Sequence, residues 1–252
     1  MDYAQSRLQA RFGDRPEELL WQQLEAAPEP AAALAIARSS GLRRWLAGIS
    51  SHADSHEIEI ALRASWRECV NEITTWMPDG WQQALLWTRG LVDLPALCYL
   101  ARGAAPLPWM FGDPVLQAYA RVDSAARENL LREDFGAVVG SSSEAPARAA
   151  FPARPSPSRI RQAWLDEWRR RWPRWGDTAS LENLAGLFEA AMNQPAVTGR
   201  PELLLRLHRL FRRSVLRPVA AFVYIAFAAL ELERLRAGLL RHAMVREGIV
   251  AS

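Results

Sequence analysis

The stretch "PVAAFVYIAFAALELERLRAGLLRH", from Pro218 to His242, is the most informative part of this chain. It begins with thirteen uncharged residues, Pro218 to Leu230, and continues as a charged amphipathic segment. Because a helix needs about 20 apolar residues to cross a bilayer, the uncharged run is too short to span one. We therefore predict a buried core helix, with a membrane-contacting or re-entrant element as the alternative.

The rest of the chain has the periodicity of α-helices almost throughout. No stretch alternates convincingly between apolar and polar residues, and β-branched residues are scarce. The segment from about Glu57 to Trp76 is typical, since Ile58, Leu62 and Trp66 fall on one side of a helix. The sequence thus predicts an all-α fold.

Composition places the chain among globular proteins that bury a sizeable core. Half of its 252 residues are hydrophobic and 23% are charged. All 31 basic residues are Arg, and 28 acids leave a net charge of only +3, which is weak evidence for nucleic-acid binding. The opening residues "MDYAQSRLQARFGD" carry charge where a signal peptide needs an apolar segment. We therefore predict a cytoplasmic protein.

Changes in composition divide the chain into four segments. Residues 1–104 are predicted to form an N-terminal helical region, and residues 105–139 an irregular and helical connection. Residues 140–158, "GSSSEAPARAAFPARPSPS", are rich in Ser, Pro and Ala and are typical of a mobile linker. Residues 159–252 are predicted to form a C-terminal helical lobe.

Patterns that carry catalysis or metal binding are missing from the sequence. Cys69 and Cys98 are too far apart to indicate a zinc site or a disulfide framework. His52 and His56 are four residues apart, but Asp54 between them favours an interhelical turn over a metal site. No phosphate loop, dinucleotide fingerprint, HExxH or nucleophile elbow occurs. We therefore predict no enzymatic activity, cofactor or metal.

The segment 159–177, "RIRQAWLDEWRRRWPRWGD", combines tryptophan with arginine. Trp164, Trp168 and Trp172 recur every four residues and so follow one face of a helix. The favoured interpretation is a stripe that faces the core, with solvated arginines opposite. A protein interface, single-stranded nucleic acid or a membrane surface are the alternatives. The candidate interface residues are Arg169, Arg170, Arg171, Trp172, Arg174 and Trp175.

Two segments of the chain resemble each other. "VDLPALCYLARG" (92–103) and "LELERLRAGLLRH" (230–242) each contain an acid, Asp93 or Glu231, followed directly by leucine. Each segment has another leucine four residues after its acid. Each also ends near an arginine, Arg102 or Arg241. This pattern could also arise by chance between two leucine-rich helices.

The arrangement is similar to the C-subunit family of A-type and V-type rotary ATPases, whose eukaryotic members are called d-subunits. That family repeats an element of the form acid–Ile/Val–x–Asn–Leu–x–x–Ile–x–Arg, and here Ala96 and Arg234 replace its asparagine. "YAQSRLQARFGDRPEELLWQQLEAA" (3–27) resembles the family's opening, and "IEIALRASWRECVNEITTWMP" (58–78) resembles its long helix. The resemblance covers most of residues 1–104 and 215–245.

The resemblance implies a funnel-like helical bundle of pseudo-repeated lobes without catalytic residues. Such a protein is an adaptor between the central rotor stalk and the membrane ring of proteolipid subunits, and it serves ATP-linked proton or sodium transport. The expected partners are those stalk subunits and that ring, with no nucleic acid. The expected location is the cytoplasmic face of the membrane, without a transmembrane helix in this chain.

The repeated elements also suggest structural residues, namely Asp93, Arg102, Glu231 and Arg236. We expect them to cap or tie helices within lobes, with Asp93 as the N-cap of the helix that follows it. Two other functions stay open from the sequence alone. One is a nucleic-acid-associated helical protein that uses the Trp/Arg helix, and the other is a helical scaffold of an unrelated assembly.

Overall fold

A computed structural model of the chain describes residues 1–136, 156–174, 178–193, 200–246 and 248. It is 78% helical and contains no strand in these residues, so the predicted all-α class is confirmed.

Twelve α-helices make up this part of the chain. In order they are α1 (Asp2–Gly13), α2 (Glu18–Ala26), α3 (Pro30–Arg38), α4 (Ser55–Thr75), α5 (Asp79–Trp87), α6 (Leu94–Ala101), α7 (Gln117–Ala120), α8 (Ser124–Gly136), α9 (Pro157–Arg170), α10 (Thr178–Asn193), α11 (Arg200–Arg213) and α12 (Val219–Arg246). Three short 3₁₀-helices lie between them, at Gly41–Trp45, Thr88–Val92 and Pro108–Phe111.

The first of two compact units consists of Met1–Arg89 and Leu204–Ser252. Its central element is α12, which packs against α4, α1 and α3. The residues from Val219 to Ala228 are all buried, because this part of α12 is apolar on every side and meets other helices all round. The prediction of a buried core helix is therefore confirmed.

Helix α4 illustrates how local sequence starts a helix in this unit. The side chain of Asp54 accepts a 2.7 Å hydrogen bond from the Glu57 backbone N–H, and the Glu57 carboxylate accepts one of 3.1 Å from the Asp54 N–H. This reciprocal capping box satisfies two N–H groups that the helix itself leaves unpaired. It confirms the predicted turn, and it leaves His52 outside the helix that contains His56.

The second unit runs from Gly90 to Leu203. Here α9 packs against α6, α8 and α10. Trp164 and Trp168 of α9 are buried, with their rings stacked at 6.0 Å between centroids. The core-facing stripe predicted from their spacing is thus confirmed for these two residues.

The two units divide the chain differently from the segments proposed on composition. Residues 90–104 belong to the second unit, and the segment 159–252 contributes α9 and α10 to the second unit but α12 to the first. The reason is that α12 buries its apolar surface against helices from the first 75 residues. Most of the segment 140–158 lies outside the described residues, and its last two residues begin α9.

Among the described residues, no single helix is both long and apolar enough to cross a membrane. One pair interrupted by a bend, Asp79–Val92 with Leu94–Ala101, reaches that length and composition together.

Candidate functional site

The most unusual chemical feature of the first unit is a buried carboxylate, Glu231, on α12. Its side chain is only 3% exposed and accepts hydrogen bonds from the guanidinium groups of Arg15 and Arg44. Arg15 comes from the turn between α1 and α2, and Arg44 from the 3₁₀-helix Gly41–Trp45. One carboxylate therefore ties together three separate parts of the chain, and two positive charges meet one negative charge.

Aromatic rings offset part of the remaining positive charge around Glu231. The Arg15 guanidinium lies 4.1 Å from the ring centroid of Phe227, and the Arg44 guanidinium lies 4.9 Å from that of Trp45. The electron-rich face of an aromatic ring attracts a cation at these distances. Phe227 precedes Glu231 by one helical turn, so α12 itself supplies both the carboxylate and a ring for Arg15.

Tyr224 and Cys69 extend this cluster into the core. Tyr224 is fully buried, and its hydroxyl has no hydrogen-bond partner in the described part of the chain. Burial raises the pKa of Tyr224 above its usual value, while the Arg44 charge opposes the shift. Burial likewise raises the pKa of the Cys69 thiol to about 11, against the lowering effect of Arg44 and Arg11. Cys69 is therefore a protonated, weakly nucleophilic thiol at neutral pH.

A second buried carboxylate connects α12 to α4. Glu59 accepts a 2.8 Å hydrogen bond from Nε of Arg236, and Nε of Arg63 lies 3.6 Å from its other oxygen. The side chains of Glu59 and Arg63 are 5% and 4% exposed, whereas that of Arg236 is 43% exposed. The geometry thus places Arg236 as a tie between two helices, which is the kind of role expected from the repeated element.

Arg234, at the position that the expected resemblance assigns to an asparagine, makes a more exposed connection. Its guanidinium donates hydrogen bonds to Glu18 at 2.8 Å and to Glu25 at 2.9 Å, both on α2. It also lies 4.8 Å from the ring centroid of Trp21. Arg234 therefore fastens α12 to α2, a contact that asparagine is too short to make.

Asp93, the corresponding acid of the second unit, is also buried, at 3% exposure. Its backbone carbonyl accepts the first hydrogen bond of α6, but its side chain makes no cap hydrogen bond. The predicted side-chain cap is therefore wrong. The backbone conformation at Asp93 is already helical, whereas a capping side chain needs an extended residue to reach back over the first turn.

The surroundings of Asp93 include Tyr119. Burial raises the pKa of Tyr119, as do its hydrogen bond to Asp134 and the negative charges of Asp134 and Asp93. Arg102, the last predicted residue of this element, lies exposed just after α6.

The candidate interface on α9 is partly neutralised by neighbouring acids. Arg169 lies 3.4 Å from Asp166 and 3.2 Å from Glu182, and Glu167 pairs with both Arg170 and Arg171. Arg170 and Arg174 are exposed, whereas Trp172 is half-buried with its ring 5.2 Å from that of Trp168. Trp175 lies outside the described residues.

Sequence reasoning found Glu231 and Arg236 but missed Arg15, Arg44 and Glu59. A weak signal existed, because Glu231 directly follows the apolar run and is therefore drawn toward the core. No comparable feature of the sequence points to Arg15, Arg44 or Glu59.

Within the residues that the structure describes, no group of three His, Cys, Asp or Glu side chains could hold a metal ion. Glu231 and Glu59 accept charge-assisted hydrogen bonds that tie separate parts of the chain together.

Comparisons with known proteins give no match: no protein-family model, no curated protein and no solved structure is similar to this chain.

Proposed function

We propose that this chain is a non-catalytic helical adaptor of an A-type or V-type rotary ATPase. In this role it couples the central rotor stalk to the membrane ring of proteolipid subunits during ATP-linked proton or sodium transport. It sits on the cytoplasmic face of the membrane as a funnel-like set of pseudo-repeated lobes. The proposal starts from the resemblance of segments 92–103 and 230–242 to the repeated element of that family.

The observation that carries the proposal is a shared pattern of burial in these two segments. The acid, the leucine that follows it and the leucine four residues after the acid are buried in both, although the segments belong to different compact units. The matched pairs are Asp93 and Glu231, Leu94 and Leu232, and Leu97 and Leu235. Chance similarity between amphipathic helices does not require a buried acid, since Asp and Glu are mostly exposed and are buried chiefly where they are paired.

The ties around α12 suit an element that transmits force. Glu231 and Glu59 are buried carboxylates, and each links α12 to other parts of the first unit through charge-assisted hydrogen bonds. Directional bonds of this kind fix the positions of helices more strictly than apolar contact alone. A torque-transmitting adaptor needs such stiffness.

Partner contacts in this proposal involve the exposed arginines at the end of α9. Arg170 and Arg174 are exposed, and guanidinium groups recognise carboxylates on partner proteins by paired hydrogen bonds. Arg170 also pairs with Glu167, but its side chain is 60% exposed, whereas those of Arg169 and Arg171 are 27% and 33% exposed. Arg170 and Arg174 are therefore the better choice for a test.

The nucleic-acid alternative loses its main support. Stacking on bases needs accessible aromatic faces, but Trp164 and Trp168 are 3% and 0% exposed. The alternative of a scaffold in an unrelated assembly is distinguished by the proteins that co-purify with the chain.

The decisive experiment is affinity purification of the tagged full chain from native membranes, followed by mass spectrometry. We expect stalk and proteolipid subunits of a rotary ATPase among the co-purified proteins. Recovery of a different, reproducible assembly would support the scaffold alternative and overturn the proposal.

A charge-reversal variant tests the interface within the same experiment. Arg170→Glu with Arg174→Glu should lower recovery of stalk subunits at least several-fold. Arg43→Glu with Arg89→Glu, two exposed arginines of the first unit, changes the charge equally and should leave recovery unchanged. Equal recovery with both double variants would remove α9 from the interface.

A further inference from the structure

From Leu205 to its end, helix α11 has an exposed face whose charged side chains are all arginines. At 100° per residue its exposed side chains from Leu205 onward fall within an arc of about 120°. These are Leu205, Arg206, Arg209, Arg212 and Arg213. Glu202 is the only acid in the helix, and the next acid along the chain is Glu231. Arg209, Arg212 and Arg213 form no ion pair within the part of the chain that the structure describes.

The turn after α11 adds two aliphatic side chains to this charged surface. Val215 and Leu216 are each 50% exposed, and the exposed residue Arg217 follows them. Leu216 has a φ of 60°, a left-handed conformation that costs a non-glycine residue roughly 1 kcal/mol or more. Such strain persists only where the surroundings impose it.

Two buried side chains hold the turn in this conformation. The backbone N–H of Leu216 donates a 3.0 Å hydrogen bond to the side-chain oxygen of Gln5, which is 4% exposed. The Ser214 hydroxyl donates one of 2.8 Å to the Leu210 carbonyl, and Ser214 is 1% exposed. The aliphatic pair is thus fixed outward, at the end of the positively charged face.

We propose that the face formed by residues 205–217 binds the surface of an anionic lipid bilayer. In this arrangement the guanidinium groups of Arg209, Arg212 and Arg213 contact lipid phosphates, and Val215 and Leu216 enter the boundary between headgroups and acyl chains. This inference goes beyond the proposed function, because it concerns lipid and the isolated chain instead of ATPase subunits.

Charge and apolar exposure together favour lipid over other anionic partners. A bilayer offers a wide negative surface with an apolar layer below it, which matches arginines beside exposed aliphatic residues. Single-stranded nucleic acid would use aromatic side chains, but Phe211, the aromatic residue nearest the turn, is buried.

The test is co-sedimentation of the purified full chain with vesicles. We expect binding to vesicles of equal parts phosphatidylcholine and phosphatidylglycerol, weaker binding at higher salt, and little binding to pure phosphatidylcholine. The variant Arg209→Gln/Arg212→Gln/Arg213→Gln should bind on the order of a hundredfold more weakly, from the electrostatic attraction of three basic residues. No binding of the wild-type chain to anionic vesicles would overturn the proposal.

A matched control separates this face from general charge. Arg43→Gln/Arg89→Gln/Arg159→Gln also removes three exposed arginines and gives the same formal net charge of 0, since 3 − 3 = 0. This control should bind like the wild type, and an equal loss in both triple variants would refute the assignment to α11.

The aliphatic pair has its own variant, Val215→Thr/Leu216→Gly. Glycine accepts the left-handed conformation, so the turn should keep its shape while it loses its apolar surface. Binding that survives higher salt in the wild type should disappear in this variant. Binding to oligonucleotides with none to vesicles would contradict a lipid surface and favour a nucleic acid instead.

Discussion

Glu231 and Asp93 hold the same place in two similar segments, yet their surroundings differ. Glu231 lies between two guanidinium groups that come from distant parts of the first unit. Asp93 lies at the start of α6, and its charge acts together with Asp134 on the hydroxyl of Tyr119. The leucines beside both acids are buried alike. A repeated sequence pattern thus fixes which residues are buried, but the contacts of the buried acid depend on each unit.

The largest effect should follow removal of Glu231. Glu231→Ala leaves Arg15 and Arg44 without their shared carboxylate, and we expect a loss of about 3–5 kcal/mol in the free energy of unfolding. Urea unfolding followed by circular dichroism measures it. The control Glu233→Ala changes an exposed acid of the same helix and should cost less than about 0.5 kcal/mol. A similar cost for both would show that the buried cluster contributes nothing special.

Removal of Asp93 should have a smaller effect. Asp93→Ala removes a buried carboxylate and leaves the groups that interact with it without their partner, so we expect a loss of about 2 kcal/mol in the free energy of unfolding. Asp123→Ala is the comparison, because Asp123 is exposed and does accept a 2.8 Å cap hydrogen bond, from Ala126. It should cost about 1 kcal/mol. If the loss in the free energy of unfolding for Asp93→Ala equals or exceeds the loss for Glu231→Ala, the proposed difference between the two acids is wrong.

The Cys69 thiol next to the Glu231 cluster predicts a dependence of stability on pH. Its pKa rises from 9.0 to about 11 on burial, so the folded state binds a proton that the unfolded state has already released between these values. The stabilisation is complete below pH 9 and is lost as the pH rises toward 11. Between pH 8 and pH 10, the free energy of unfolding of the wild type should therefore fall by about 1 kcal/mol more than that of Cys69→Ala. Parallel pH profiles of unfolding for the two proteins would contradict this.

The smallest effect concerns Arg234, which fastens α12 to α2. Arg234→Asn breaks the pairs with Glu18 and Glu25, whose side chains are 66% and 51% exposed. Water and salt screen such pairs, so the loss should be about 0.5 kcal/mol and should shrink in high salt. Thermal melting at two ionic strengths measures it. A loss as large as that for Glu231→Ala would show that this exposed tie matters as much as the buried one.

Sequence alone predicted much of the helical order because that information is local. The spacing of Trp164 and Trp168 indicated the buried side of α9, and the Asp54 turn indicated the start of α4. Both signals act over three or four residues, so no distant contact is needed to interpret them. The prediction of a side-chain cap at Asp93 was wrong, because capping depends on a backbone conformation that the residue type does not determine.

The candidate site depended on contacts that no local pattern reveals. Arg15 and Arg44 are 216 and 187 residues from Glu231 along the chain. The sequence by itself determined the all-α class and the burial of Val219–Ala228 in α12, because helix periodicity and a continuous apolar run are visible in the sequence. Only the tertiary structure decided which arginines meet Glu231 and how the chain divides into two units. Those outcomes follow from how helices far apart in sequence bury their apolar faces against each other.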